Sequence, residues 1–195
     1  MAQKHVSTTS DYIDWDAAMN LVRRLFKDGN YRMSLLVGCG CFFGLRFSDL
    51  SQLSWRQLLS GDTFELYEQK TGKRRVIRIN KGFQAHIREC YVAMKIQDMD
   101  EPCFLNRFGG ILTNQMVNRH FKALKVKYQI RIKNFSTHSL RKTFGRRVVD
   151  MAGPDSEMAI IKLSELFNHS NSMVTRRYLG LRQEELGEVY DSLQF

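Results

Sequence analysis

The chain has 195 residues, of which 43% are hydrophobic, and its 30 Lys and Arg against 20 Asp and Glu give a net charge of +10. No apolar run reaches the roughly 18–20 residues that span a bilayer, and the N-terminus lacks the apolar segment of a secretory signal. The 4 cysteines lack metal-ligand spacing, which predicts buried, reduced thiols. We therefore expect a cytoplasmic protein with no membrane partner.

Hydrophobic periodicity and capping residues predict a mainly α chain with a small antiparallel β-sheet. In chain order, one helix starts at Asp14 or Asp16, a second runs from about Tyr31 to Phe43, and Ser48 caps a short third helix. "TFELYEQ" and "RRVIRIN" then form a hairpin across a "KTGK" turn. Further helices are predicted at about 82–97, 113–127, 138–152 and 156–167, then over "MVTRRYLG" and from near Gln183.

The positive charge is concentrated in two stretches. Residues 102–149 contain 11 Lys and Arg and no acidic residue, and residues 69–88 contain 7 more, again without an acid. A solvated surface usually mixes both signs, so this segregation indicates a polyanionic partner. Nucleic acid is favoured over an anionic membrane, because no segment forms a basic helix with an apolar opposite face.

Four short motifs contain residues suited to phosphate chemistry. "GLRFSDL" has an arginine, "QKTGKRR" a lysine at the hairpin turn, "THSLRKT" a histidine and an arginine on one helix face, and "LFNHSNSMVTRRYLG" a histidine and a tyrosine nine residues apart. Each motif alone is weak, and an isolated tyrosine is usually a packing residue. Together, in chain order, they supply Arg46, Lys70, His138, Arg141, His169 and Tyr178.

This ordered set resembles the catalytic domain of the tyrosine recombinase (phage integrase) family over nearly the whole chain. The resemblance implies two phosphate-binding arginines (Arg46 and Arg141), a hairpin lysine (Lys70), two histidines and a nucleophilic tyrosine (Tyr178). It implies a recombinase that cleaves and rejoins double-stranded DNA through a 3′-phosphotyrosine, as a tetramer on DNA and without metal, cofactor or small-molecule substrate. "FNHS" and "TRRYLG" further resemble integrases of mobile elements in Bacteroides-type bacteria.

Three departures from the family pattern are visible. Asn168 replaces the usual glycine before His169, the interval from Arg141 to His169 is longer than usual, and Lys142 replaces a common histidine. The resemblance implies an N-terminal extension (1–13), a catalytic domain (14–182) and a C-terminal tail helix (183–195). The N-terminal DNA-clamp domain of most members has no counterpart here, so the chain is either a fragment or a short stand-alone member.

The chemistry of the residues agrees with these roles. Two guanidiniums give bidentate hydrogen bonds to phosphate oxygens, a tyrosine conserves the phosphodiester energy, and a lysine can protonate the leaving oxygen. His138 is the better proton acceptor and His169 the better phosphate donor, although both assignments stay open. Lys73 is an alternative to Lys70, and the expected DNA-backbone contacts are Lys73, Arg74, Arg75, Lys142 and Arg146.

Two other functions fit the same residues. An accessory protein with this fold would bind DNA without cleaving it, and a type IB topoisomerase-like enzyme would share the chemistry but act as a monomer without site preference. The tail adds an apolar stripe that is expected to pack against the protein's own body or a neighbour: Leu186, Val189, Tyr190, Leu193 and Phe195.

Overall fold

The computed structural model describes residues 10–193, which fall into two compact units, Met1–Phe144 and Gly145–Phe195. Most of the predicted N-terminal extension (1–13) and the last two residues, Gln194 and Phe195, lie outside the described part. Ile13, at the end of that extension, is buried in the core of the first unit. The predicted domain boundaries stay predictions.

The first unit holds four helices and two strands, followed by α5, α6 and the start of α7. In chain order its elements are α1 (Trp15–Lys27), α2 (Tyr31–Phe43), α3 (Phe47–Leu50), α4 (Trp55–Leu59), β1 (Thr63–Tyr67), β2 (Arg74–Arg78), α5 (Lys81–Ala93), α6 (Asn114–Lys127) and α7 (Thr137–Ala152), whose residues divide between the units.

The mainly α fold with a small antiparallel sheet is confirmed. β1 and β2 pair from Thr63 with Arg78 to Tyr67 with Arg74, as the hairpin prediction requires. The predicted cap of α3 is wrong: Arg46, not Ser48, occupies the N-cap position. α4 was not predicted from the sequence; Ser54 caps it and forms a capping box with Gln57.

The core of the first unit is built around α2. Nearly every residue of this helix is buried, because its glycines let neighbouring side chains approach the backbone closely. A Cβ on Gly40 would overlap Leu140, and a Cβ on Gly44 would overlap the ring of Phe144. Both neighbours belong to α7, so these contacts fix the first half of α7 against α2.

Two tryptophans illustrate how the rest of this core is filled. Trp55 is fully buried and packs edge-on against Tyr91, while Trp15 is partly buried against Phe42. The cysteines are buried thiols, as expected: Cys39, Cys41, Cys90 and Cys103.

The second unit continues α7 through a 3₁₀ turn into three further helices. These are α8 (Ser156–Phe167), α9 (Ser172–Leu179) and α10 (Leu181–Asp191), with the 3₁₀ turn at Gly153–Asp155. Gly145 packs against Leu179 and Phe167, so α7, α8 and α9 converge there. Within residues 10–193, no helix is both long and apolar enough to cross a bilayer.

Candidate functional site

Arg141 is anchored to the C-terminal end of α2. Gly44 ends that helix in the left-handed conformation (φ +56°), and its carbonyl oxygen accepts a 2.7 Å hydrogen bond from Nη1 of Arg141. The last carbonyls of a helix carry partial negative charge, which favours a guanidinium there. Arg141 is consequently buried and held in one direction.

Arg46 lies two residues beyond Gly44, at the N-cap of α3. Its Nη1 donates a 2.8 Å hydrogen bond to Oε2 of Glu68, and 20% of its side chain is exposed. The structure therefore places the two predicted phosphate-binding arginines beside the same helix end, each fixed by a specific protein contact.

Glu68 is the centre of a buried polar cluster that sequence reasoning missed. Its carboxylate accepts hydrogen bonds from Arg46, from the Thr71 hydroxyl (2.9 Å) and from Nη1 of Arg75 (3.3 Å). Arg75 also donates from Nη2 to the carbonyl of Phe43 at 2.8 Å. Burial raises the pKa of the Glu68 carboxyl, but the hydrogen bonds from Thr71 and Arg46 and the two positive charges outweigh it, so that pKa lies below its usual range.

The predicted lysine, Lys70, lies in the hairpin turn and is exposed. Asp49, which is buried, accepts a 2.8 Å hydrogen bond from the backbone N–H of Gln69, and Gly72 N–H donates to the carbonyl of Glu68 at 2.7 Å. The base of the turn is thus tied to the segment after Arg46. Lys73, the alternative lysine, is also exposed on this hairpin.

His138 is the second residue of α7, in its first turn. The start of α7 is fixed by α6, since Thr137 N–H donates to Asn118 and the Thr137 hydroxyl donates to Asn114. Surrounding protein atoms, and then the charges of Arg141 and Lys142, lower the pKa of His138. The lowered pKa favours the neutral imidazole, which has a nitrogen able to accept a proton.

His169 and Tyr178 are neighbours in the second unit. Their ring centroids lie 5.3 Å apart, and Phe167 packs edge-on against both rings. Nδ1 of His169 is 2.9 Å from the hydroxyl of Thr175, a buried residue of α9. The break after α8, predicted from "NHSNS", brings the two rings to one side although they are nine residues apart.

Asn168 adopts the backbone conformation that the usual glycine before His169 would adopt. It ends α8 in the left-handed conformation (φ +54°), and its N–H bonds back to Glu165. Asparagine tolerates this conformation better than other residues with a side chain. The substitution therefore preserves the turn that positions His169.

The predicted DNA-backbone residues occupy different environments. Lys73 and Arg74 are exposed, while Arg75 contacts Glu68 and Phe43 within the protein. Burial lowers the pKa of Lys142, which is half-buried. Arg146 forms a 2.6 Å ion pair with Glu184 of α10. Their contacts with DNA stay predictions.

The tail helix is held by charge instead of by the expected apolar stripe. Glu184 pairs with Arg146, and Glu185 pairs with Arg176, which also pairs with Glu157. The stripe residues within the described chain are between 50% and 72% exposed, so the expectation that they pack on the protein's own body is wrong for Leu186, Val189, Tyr190 and Leu193. Phe195 lies outside the described residues.

Comparison with known proteins gives the family of this chain. The sequence profile of the phage integrase family matches residues 8–185. The tyrosine recombinase XerC of Xanthomonas axonopodis pv. citri (strain 306) is 28% identical over 149 residues, which cover 76% of this chain and 47% of the relative. The chain thus spans about half the length of this curated relative.

Two solved structures have the same fold. The crystal structure of XerA recombinase superposes with a TM-score of 0.70 at 20% identity, covering 100% of this chain and 68% of that one. The XerH site-specific recombinase, bound to its palindromic difH substrate in a post-cleavage complex, gives a TM-score of 0.66 at 16% identity, covering 98% and 55%. The narrower likeness to Bacteroides-type integrases stays a prediction. With the profile match extending over most of its length, the chain belongs to the phage integrase family, that of the tyrosine recombinases.

Proposed function

We propose that this protein is a site-specific DNA recombinase that cleaves and rejoins DNA through a 3′-phosphotyrosine on Tyr178. The observation that carries the proposal is the pair of arginines at the end of α2, with Arg141 held by Gly44 and Arg46 held by Glu68. Guanidiniums fixed in this way act as preorganised donors for the charge that develops on a phosphate in the transition state.

Each remaining residue has a defined part in the proposed reaction. The Tyr178 oxygen forms a bond to phosphorus while the bond from phosphorus to the 5′-oxygen breaks. His138, whose pKa is lowered, accepts the tyrosine proton. His169 donates a hydrogen bond to a phosphate oxygen, and Lys70 gives a proton to the leaving 5′-oxygen. The cationic side chains stabilise the negative charge on the phosphate, as a metal does in other nucleases. The reaction as proposed therefore uses no metal or cofactor.

The proposed partner is double-stranded DNA, without a small-molecule substrate or a membrane. The two acid-free stretches supply the charge for phosphate contacts, among them Lys73, Arg74, Arg75, Lys142 and Arg146. XerH and XerC are both named as recombinases, and XerH is bound to a DNA substrate. By extension we propose a homotetramer on two duplexes, acting in the cytoplasm on nucleoid DNA.

The proposal is tested by trapping the covalent intermediate. A pool of duplexes with a randomised central region and a nick at varied positions is incubated with the protein, then denatured, and DNA that stays attached is sequenced. We expect attachment through Tyr178, in excess chelator, and none with Tyr178→Phe. Retained DNA binding without any adduct in the unmodified protein would instead identify a non-cleaving accessory protein, and adducts without sequence preference would indicate a topoisomerase-like activity.

A further inference from the structure

Glu68 joins Arg46 to the hairpin turn through one buried carboxylate. Only 4% of its side chain is exposed, and Oε2 accepts from both Nη1 of Arg46 (2.8 Å) and the hydroxyl of Thr71 (2.9 Å). Oε1 accepts from Arg75 at 3.3 Å. A buried carboxylate with three donors of this kind stays ionised, in agreement with its lowered pKa.

Resting on the function proposed above, we propose that Glu68 is a positioning residue that acts through Arg46. Its carboxylate fixes the direction of the guanidinium before DNA arrives, so that Arg46 meets the scissile phosphate without reorganising. Glu68 itself touches neither the phosphate nor the leaving group in this scheme.

The placement of Arg46 shows why it needs such a partner. Arginine has a long side chain with many rotamers, and Arg46 is the more exposed of the two arginines that contact Glu68, at 20% against 11% for Arg75. Arg141 has a backbone carbonyl at a helix end as its anchor, whereas Arg46 has the Glu68 carboxylate. Preorganised donors are effective because they need no reorientation during the reaction.

An exposed ion pair on the same hairpin provides a matched comparison for the buried contact between Glu68 and Arg46. Glu65 of β1 accepts a 2.8 Å hydrogen bond from Arg74, but both side chains are more than half exposed. Water and salt screen a pair of this kind, so it does little to fix either partner. Glu65→Gln therefore removes the same charge from the same hairpin without disturbing Arg46.

Glu68 could also affect cleavage by positioning the hairpin turn that carries Lys70. Glu68 accepts from Thr71, and its carbonyl accepts from Gly72 N–H, so loss of the carboxylate could also displace Lys70. A duplex whose leaving 5′-oxygen is replaced by sulfur separates the two routes. The sulfur departs as a thiolate without needing a proton, so this substrate rescues loss of the general acid but not loss of a phosphate-binding arginine.

The experiment measures single-turnover adduct formation at saturating DNA, with the scissile phosphate first mapped by the trapping assay. Glu68→Gln should lose about 100-fold with both the oxygen and the sulfur substrate, while its DNA affinity stays within about threefold. Glu65→Gln should stay within about twofold of the unmodified protein, and Lys70→Ala should recover on the sulfur substrate only.

Four outcomes would overturn the proposal. If the sulfur substrate restored the activity of Glu68→Gln, Glu68 would act through Lys70. If Glu68→Gln were as active as Glu65→Gln, the contact between Glu68 and Arg46 would have no role. Adding Glu68→Gln to Arg46→Lys should cause little further loss, whereas a fully additive loss would indicate general damage to the fold. Absence of any adduct in the unmodified protein would defeat the proposed function itself, and the role of Glu68 in it.

Discussion

Nη1 of Arg141 donates a 2.7 Å hydrogen bond to the carbonyl oxygen of Gly44, two positions before Arg46. Because Gly44 ends α2 and is the first residue of the "GLRFSDL" motif, this one bond ties the first half of α7 to the segment that carries Arg46. The direction of each guanidinium therefore depends on the exact backbone path at the end of α2.

Arginine should be irreplaceable by lysine at both positions. An ammonium keeps the charge but cannot hold a protein oxygen with one edge while presenting a second edge to a phosphate. We expect Arg46→Lys and Arg141→Lys each to slow adduct formation by about 100- to 1,000-fold, with smaller effects on DNA affinity. Rapid-quench adduct measurements and binding titrations check this.

Arg56→Lys is the control for that pair of substitutions. Arg56 pairs with Asp100 in the same unit, and both side chains are about 60% exposed. Its replacement should leave adduct formation unchanged. Near-normal cleavage by Arg46→Lys or Arg141→Lys would remove that arginine from the proposed phosphate site.

Gly44→Ala should be more destabilising than the same change at another glycine with positive φ. Gly44 has φ +56° and its Cβ would overlap Phe144, whereas Gly29 has φ +75° with open space around it. We expect Gly29→Ala to cost about 1–2 kcal/mol of unfolding free energy from the backbone alone. Gly44→Ala should cost about 1–3 kcal/mol more from overpacking, as measured by urea unfolding. Equal losses at both positions would show that α7 does not press on Gly44.

The local parts of this structure could be predicted from sequence, and the long-range pairings could not. Gly44 and the "KTGK" turn are local signals for a helix end and a hairpin, and both predictions are confirmed. The role of Glu68 could not be predicted, because nothing in the sequence around the hairpin indicates that its carboxylate meets an arginine 22 positions earlier. Apolar periodicity in α10 predicts a packed face, but in the structure Glu184 and Glu185 form the ion pairs that hold the helix.

The pH dependence of cleavage should follow the neutral form of His138. Burial and the charges of Arg141 and Lys142 lower the pKa of this histidine from its ordinary value of 6.5. At sub-saturating DNA, where the rate constant reports the free enzyme, cleavage should rise with pH and reach a plateau, with a midpoint below 6.5. The same profile in His138→Gln would show that another group accepts the proton.

DNA affinity should fall steeply with salt. The acid-free stretches contain 11 and 7 basic residues, and if about six of them meet phosphates, log K should fall with a slope of about −5 against log salt. Binding titrations between about 50 and 200 mM salt would measure this slope. A flat response would mean that these stretches serve something other than DNA.

Neutralising the two acids that hold the tail should release α10 from Arg146 and Arg176. The double variant carries Glu184→Gln and Glu185→Gln. In it Arg146 and Arg176 lose their ion pairs with this helix, although Arg176 keeps its ion pair with Glu157. Amide hydrogen exchange in residues 181–193 should then accelerate, because the described stripe residues are exposed and do not hold the helix.

The same double variant should bind DNA more tightly, with a steeper salt slope, since removal of two negative charges reduces repulsion and Glu184 no longer competes with a phosphate for Arg146. Glu188→Gln is the matched control: it lies on the same helix, is exposed, and forms no ion pair in the described structure. It should change net charge by one unit without accelerating exchange. If amide exchange in the double variant were no faster than in Glu188→Gln, the ion pairs with Arg146 and Arg176 would not hold the tail. Tyr178, two residues after Arg176, would then be positioned independently of α10.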